Sequence, residues 1–435
     1  MKRNTMLLTP LKVELPDYHS IGISGRTLPT SAQPWPIANS LSRRMRKAVG
    51  VQPWQWPDEP VFFVADPHAD AEAFKSSLIA SGGVTQSLSG EIQLTDEGRK
   101  GRFVIGGDCL DKGPSNLQLL RAIRHLMTIG ADVKLLAGNH DVRLLMGLRG
   151  MSLQRDMRTE HLFLRMGPKV IPLIKEVFNA YRKRVDSQPV PAAEECRRLL
   201  YPSKSWFKGF PKIAKSDIPK IAVDKEMTRM RQKLKDFEAS CEVEGLSIRD
   251  VYGTALVCHQ LFLQPGGEFA WFFNEMLLIH REGSFVFLHA GLDDSMTTLL
   301  ANNSIEQLNQ LYRHQINSDL YTFYYGTLAN TMRTKYRDVD RPLTRDGVER
   351  AYEMGIHAVV HGHRNQTRGQ RISLRRGMIH IEGDITLNRN SRQKEGLSGH
   401  GIGVTIIRPE GRVIGISNDY PFAKVFEPQR FLKTA

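Results

Sequence analysis

The sequence predicts an α/β fold, and three observations carry the prediction. Short apolar runs of strand length recur along the chain, each of the first three ends in polar residues, and helix-like spacing fills the gaps between them. Val61-Phe62-Phe63-Val64 runs into Ala65-Asp66-Pro67-His68, and Phe103-Val104-Ile105 runs into Gly106-Gly107-Asp108. Residues 133–136 run into Gly138-Asn139-His140-Asp141. An unbroken apolar run of this length reads as a strand covered on both faces. Residues 70–79 and 115–126 have helical spacing, the latter with Leu117, Leu120 and Ile123 on one face. In open α/β sheets ligands bind beyond the carboxyl ends of the strands. That rule brings Asp66, His68, Asp108, Asp111, Asn139 and His140 near one another.

The organisation outside this block is uneven. Residues 1–58 contain Pro10, Pro16, Pro29, Pro34, Pro36, Pro53 and Pro57 and a basic patch from Ser42 to Lys47, and are expected to form an irregular N-terminal arm. Residues 59–150 and 279–435 are expected to form the catalytic domain. Strand rhythm is absent from 151–278, which reads as a basic, mainly helical insertion or cap, most plainly over 223–244. It returns at Ser284-Phe285-Val286-Phe287-Leu288, which ends in His289-Ala290-Gly291. It returns again at Ala358-Val359-Val360, which ends in His361-Gly362-His363. Residues 378–381, 403–407 and 413–416 read as further short strands.

Composition narrows the class. The 435 residues are 41% hydrophobic and 24% charged, ordinary for a globular protein and enough for a sizeable core. No run of 18 or more apolar residues occurs, so no membrane-spanning helix is expected. The N-terminus lacks a signal-peptide pattern, and Cys109, Cys196, Cys241 and Cys258 form no CxxC pair, so the expected location is the reducing cytoplasm. The formal charge is +14, and residues 151–240 hold 20 Lys/Arg against 11 Asp/Glu. A solvated basic face is the plain reading of that excess, and an anionic partner is the other.

Chemistry concentrates at five strand ends: Asp66/His68, Asp108/Asp111, Asn139/His140, His289 and His361/His363. Oxygen and imidazole donors without cysteine suit manganese, iron or zinc. A two-metal site also needs a bridging carboxylate, for which Asp108 is well placed. Two ions held about 3.5–4 Å apart clamp a phosphate and acidify a water.

Taken in order, D-x-H, G-D-x-x-D-x-G, G-N-H-D, H-A-G and G-H resemble the five-block signature of the calcineurin-like metallophosphoesterases. They read here Asp66-Pro67-His68, Gly107-Asp108-Cys109-Leu110-Asp111-Lys112-Gly113, Gly138-Asn139-His140-Asp141, His289-Ala290-Gly291 and Gly362-His363. The forms around Asp108 and His289 most resemble the bacterial branch of the PPP-type phosphoprotein phosphatases. The resemblance covers residues 61–149 and 283–388, and neither the arm nor 151–278. One block alone is a cheap match, whereas five in order, each behind an expected strand, are not.

The resemblance implies a metallophosphoesterase-type four-layer α/β/β/α sandwich, with the helical insertion between the third and fourth blocks. It implies a dinuclear metal-dependent phosphoric monoester hydrolase, foremost a protein Ser/Thr phosphatase working by direct attack of metal-activated water. Asp66, His68 and Asp108 would hold one divalent ion, and Asp108, Asn139, His289 and His363 the other, with manganese foremost and iron or zinc as alternatives. His140 would be the general acid and Asp111 its orienting partner. A histidine beside a carboxylate is also a sound proton donor near neutral pH on chemical grounds alone.

The chain departs from the family at Lys112, where those phosphatases usually carry arginine; an ammonium is a point charge and lacks the bidentate fork. Lys112, Arg143, Arg364 and Arg368 are the candidate phosphate-binding cations. His361 is either a further ligand or phosphate contact, or a packing residue under the site.

Phosphoprotein is the first expected partner. A hydrolase of nucleotides or dinucleoside polyphosphates is the runner-up, because fold does not fix substrate. A nucleic-acid phosphoesterase using the basic insertion is the third reading, without a nucleic-acid motif to support it. A non-catalytic binding protein ranks last. His259, His280, His314, His357, His380 and His400, the tryptophans Trp54, Trp56, Trp206 and Trp271, Phe272-Phe273 and the aromatic run 321–325 are expected to be surface or packing residues. The Glu382-Gly383-Asp384 loop is a candidate rim of the site.

Overall fold

A computed structural model describes residues 11–18, 28–36, 41–152 and 154–432. Two sheets form its centre. The larger has seven strands in the order Ala32–Pro34, Ala423–Phe426, Arg412–Ser417, Gly403–Arg408, Val61–Val64, Arg102–Ile105 and Asp132–Leu135. The smaller has five, in the order Arg371–Arg375, Met378–Glu382, Ala358–His361, Phe285–Phe287 and His280–Glu282. The strands that deliver the motifs are parallel neighbours: Val61–Val64 with Arg102–Ile105, the latter with Asp132–Leu135, and Phe285–Phe287 with Ala358–His361.

Side-chain alternation decides how the sheets stack. Val61 and Phe63 share one apolar cluster with Val104, Phe285, Phe287, Ala358, Val360 and Ile381, residues of both sheets. Phe63 and Phe287 meet across that interface with ring centroids 5.9 Å apart. Their chain neighbours Phe62, Val64, Phe103, Val286 and Val359 point the other way, into a cluster shared with the flanking helices. Val61–Val64, Phe285–Phe287 and Ala358–His361 are therefore buried along their length and read as apolar runs, whereas Asp132–Leu135, at the sheet edge, is buried only at Leu135. The result is four layers, helix, sheet, sheet, helix.

The helices follow from capping and spacing. Asp70 caps Ala71–Ala80 by accepting from the Ala73 N–H, and Ser115 caps Asn116–Thr128 by accepting from Gln118. From Leu162–Met166 to Ala270–Glu275 every regular element among the described residues is helical, including Lys220–Val243 and Ile248–Leu263. Their fully buried Trp206, Phe210, Phe237 and Phe262 belong to the same continuous core as the outer face of the larger sheet. Five further helices between 294 and 353, from Asp294–Asn302 to Arg345–Glu353, were not legible as a group in the sequence.

The irregular arm expected over 1–58 needs correction. Ala32–Pro34 pairs in parallel with Ala423–Phe426 as an edge strand, a position proline tolerates. Leu41–Val51 is a helix that buries Leu41, Met45 and Ala48, spaced four and three residues apart on one face. Tertiary burial of that stripe stabilises a segment whose prolines and basic residues suggest no structure. Residues 1–10, 19–27 and 37–40 of the arm lie outside the described residues. No helix among the described residues is long and apolar enough to cross a membrane.

Candidate active site

The loops after the motif strands are locked backbone to backbone. Among the described residues ten that are not glycine have positive φ, and seven of them are Asp66, His68, Ala69, Asp108, Asp111, Lys112 and His363. Strain of this kind persists only where the surroundings over-determine the backbone, and it clusters at functional sites. Two glycines explain the closeness of the loops. A Cβ on Gly138 would lie 1.9 Å from the Asp108 nitrogen, and one on Gly362 would lie 1.8 Å from Asp66 Oδ1. The Asp141 carboxylate accepts from the Leu110 and Gly138 N–H groups at 3.0 and 3.2 Å, bracing the second block against the third. The His363 N–H donates to both Asp66 oxygens at 3.0 and 3.1 Å, and the His140 N–H to Asp108 Oδ1 at 2.8 Å.

Two sets of potential ligand atoms result, each lying within 4.8 Å of one another: Asp66, His68 and Asp108, and Asp108, His289 and His363. Asp108 belongs to both. His68 Nδ1 and His289 Nδ1 face the carbonyls of Leu110 and Gly106 at 3.1 and 2.7 Å. A carbonyl only accepts, so each Nδ1 carries the proton and turns Nε2 inward, the orientation that a backbone carbonyl gives to metal-ligating histidines. His68 Nε2 lies 3.7 Å from Asp108 Oδ2, and His289 Nε2 3.4 Å from Asp108 Oδ1. His363 Nε2 is buried with no hydrogen-bond partner.

Electrostatics point the same way. Burial opposes charge on His289, yet Asp108 and Asp66 hold its pKa up at about 10. Asp66 lies well above the ordinary carboxylate range, through burial and then the neighbouring carboxylate of Asp384. Asp108 is buried, but His289, His140 and His68 keep it well below that range. Two buried carboxylates around a charged imidazole make a site that favours positive charge, which divalent ions could supply in its place. The donor set fits two hard-to-borderline divalent ions sharing one carboxylate.

His140 stands beside this cluster. Its Nδ1 is 2.8 Å from Asp111 Oδ2, and its Nε2 is 3.9 Å from Asp108 Oδ2, turned to the ligands. Burial holds the His140 pKa well below its ordinary value and, despite Arg143, raises that of Asp111 to about 7. The Asn139 amide lies beside His363. With its nitrogen on that side it donates to His363 Nδ1 at 2.9 Å and to the Met332 carbonyl at 3.2 Å, and its oxygen accepts from the His140 N–H.

The candidate phosphate contacts divide. Lys112 Nζ reaches into the cluster, 2.6 Å from His68 Nε2. Arg143 stays near, with Nε on the Asn139 carbonyl at 3.2 Å and its charge acting on His140 and Asp111. Arg364 is engaged elsewhere: its guanidinium lies 5.4 Å from the Tyr336 ring centre, donates to the Lys335 carbonyl and sits 4.0 Å from Glu382 Oε1. Arg368 is exposed, and its carbonyl accepts from Lys424.

His361 is corrected outright as a phosphate contact. It is wholly buried, with Nδ1 2.9 Å from the Gly362 carbonyl and Nε2 3.1 Å from His380 Nδ1. The strand ends at His361 and His363 has φ 67, so the alternation that would give both one face stops between them. His380 is its buried packing partner, and Trp206 stacks on Phe210 at 4.6 Å in the helical core.

Two contributors were missed in the sequence. Asp384, in the loop read as a possible rim, is buried and raises the Asp66 pKa. The other is Glu176, on Ile171–Ala180. Its carboxylate accepts from the Ser115 hydroxyl, from the Asn116 and Leu117 N–H groups at 2.8 and 3.2 Å, and from the Asn116 side-chain amide at 3.2 Å. Asn116 Oδ1 in turn accepts from the Asp111 N–H at 2.8 Å. A carboxylate at a helix N-terminus satisfies free N–H groups and opposes the dipole. No spacing rule links residue 176 to residue 111; only the docked helices do.

Set beside known proteins, the chain matches no family profile and no curated protein. Among solved structures it is similar to a cold-active protein tyrosine phosphatase, at 13% identity over 89% of this chain and 83% of that one, with a TM-score of 0.42. It is similar to the cold-active protein-tyrosine phosphatase of a psychrophilic Shewanella species, at 13% identity over 85% of this chain and 80% of that one, with a TM-score of 0.40. It is also similar to a protein serine/threonine phosphatase from Saccharomyces cerevisiae, at 12% identity over 89% of each chain, with a TM-score of 0.38.

Proposed function

We propose that the chain is a dinuclear metal-dependent phosphoric monoester hydrolase acting on phosphoserine and phosphothreonine in proteins. The observation that carries the reading is the pair of ligand sets sharing the buried Asp108, with the His140–Asp111 couple at their edge. Asp66, His68 and Asp108 hold one ion, and Asp108, His289 and His363 the other, joined by Asn139 once its amide turns the oxygen inward. Ions bound there supply Lewis acidity, polarising the phosphoryl oxygens and lowering the pKa of a coordinated water.

The chain's own groups do the rest. Asp111 accepts from His140 Nδ1 and holds the ring so that Nε2 faces the ester, where it protonates the leaving alkoxide. Lys112 and Arg143 meet the charge on the phosphoryl oxygens. The Lys112 ammonium faces the His68 nitrogen that would serve an ion, so Lys112 would have to leave that nitrogen in a loaded site.

Glu176 is a positioning residue acting through Asn116 on Asp111. Removing one such half-buried hydrogen-bond acceptor costs about 1–2 kcal/mol, hence Glu176→Ala is expected to lower kcat roughly 5- to 30-fold. Metal content and KM are expected to hold, the pH–kcat profile to shift, and Glu176→Gln to restore part of the rate. An unchanged pH profile with an altered metal content would remove the positioning role.

Substrate choice is tested with manganese-loaded protein against a phosphopeptide, a dinucleoside polyphosphate and a single-stranded oligonucleotide. The phosphopeptide is expected to show the highest kcat/KM by at least tenfold. Preference for the dinucleotide would install the runner-up reading. Oligonucleotide binding that falls steeply with salt would install the nucleic-acid one.

A further inference from the structure

A cluster of positive charge lies away from the metal-ligand candidates. Arg43 and Arg44, Arg345, and Arg376 line one cavity of about 280 Å³ together with Leu374 and Gly377. They come from three separate elements: the helix Leu41–Val51, the first residue of the helix Arg345–Glu353, and the two-residue turn between Arg371–Arg375 and Met378–Glu382.

The cavity is distinct from the metal centre. Strand Met378–Glu382 runs parallel to Ala358–His361, with Ile379 opposite Ala358 and Glu382 opposite His361. The Arg376–Gly377 turn stands at the Ala358 end, and the histidines follow the other end. Four strand residues, roughly 13 Å, separate them.

Among the described residues this charge is opposed only in part, by Glu349. No carboxylate lines the cavity. Glu349 is the carboxylate that acts on Arg44 and Arg345, and it pairs with Lys47. Among the described residues the side chains of Arg43, Arg345 and Arg376 make no hydrogen bond or close ion pair, although Arg345 acts on Glu349 from a distance.

The arginines also stand where local stability disfavours them. Arg43, Arg44 and Arg345 occupy first turns of helices, where the dipole favours anions. Arg376 holds φ 54 beside Gly377 at φ 116, a turn that favours asparagine or glycine at the first place. Four guanidinium forks around a small cavity match the geometry of clustered phosphate oxygens.

We propose that this cavity binds a small polyphosphate anion, a di- or triphosphate chain of inorganic or nucleotide origin. Four guanidinium groups bring four positive charges to one cavity, which a chain of several phosphoryl groups balances more fully than one phosphate does. The proposal does not depend on the reaction at the metal centre.

The test is titration calorimetry of the full chain with the magnesium complexes of tripolyphosphate and of ATP. Wild-type protein is expected to bind at least one of them, and Arg43→Ala/Arg376→Ala to bind at least tenfold more weakly. Lys112→Ala, at the metal centre, is expected to stay within twofold of wild type. ATP binding more tightly than tripolyphosphate would assign the site to a nucleotide, and equal affinity to the phosphate chain alone. Arg376→Lys, which keeps charge without the fork, is expected to fall between, and thermal unfolding without anion reports whether each variant is folded. No binding to wild type, an undiminished affinity in a folded double variant, or loss of binding in Lys112→Ala would overturn the proposal.

Discussion

Asp108→Asn is expected to lower turnover of an aryl phosphate by at least about a thousandfold, a change of about 4 kcal/mol in the barrier, and to leave no more than one metal equivalent after dialysis. Asp108 belongs to both ligand sets, so its replacement is expected to weaken both proposed ion sites. An amide keeps one oxygen to accept from the His140 N–H, and the helix Asn139–Ser152 stays seated. It removes the negative charge that His289, His140 and His68 all sense, and a neutral amide bridges two cations poorly. Metal analysis alongside kcat checks both halves. A variant that keeps two equivalents and wild-type turnover would sink the dinuclear assignment.

His140→Asn is expected to separate acid catalysis from metal binding. The imidazole sits in neither ligand set, and its Nδ1 is held by Asp111. Metal content is expected to remain at two equivalents. General acid catalysis contributes about 10²–10⁴-fold, and most where the leaving group is a poor one. The rate on an alkyl phosphate or phosphoserine peptide is therefore expected to fall by that factor. The rate on p-nitrophenyl phosphate, whose phenolate leaves with little help, is expected to fall far less. Rates for phosphates of graded leaving-group pKa measure the difference. An equal loss on both substrates would mean that His140 supports the fold or the metals instead of donating a proton.

Some features were legible along the chain because they are local. The motif strands announce themselves through unbroken apolar runs such as Val61–Val64, because burial on both faces needs only local composition. The loops announce themselves through residues whose backbone tolerates close approach, such as Gly138 and Gly362, beside donors of one chemical class. Those signals span a few residues each, so periodicity and motif order recover them.

Other features were not legible because they are contacts between distant segments. Glu176 reaches Asp111 through Asn116 only once the helical segment docks on the sheet layer. The helix Leu41–Val51 becomes one because its apolar stripe is buried against the rest of the molecule. His361 shared a predicted face with His363 until the strand ended and a positive φ turned the next residues away.

The sequence by itself thus determined the α/β class and the identity of the metal-ligand candidates, since both follow from short-range spacing. Only the tertiary structure decided which of those candidates converge on Asp108, that His361 lies behind them, and that His140 leans on an aspartate held from the helical segment. Convergence is set by packing between elements far apart in the chain, and no local pattern encodes it.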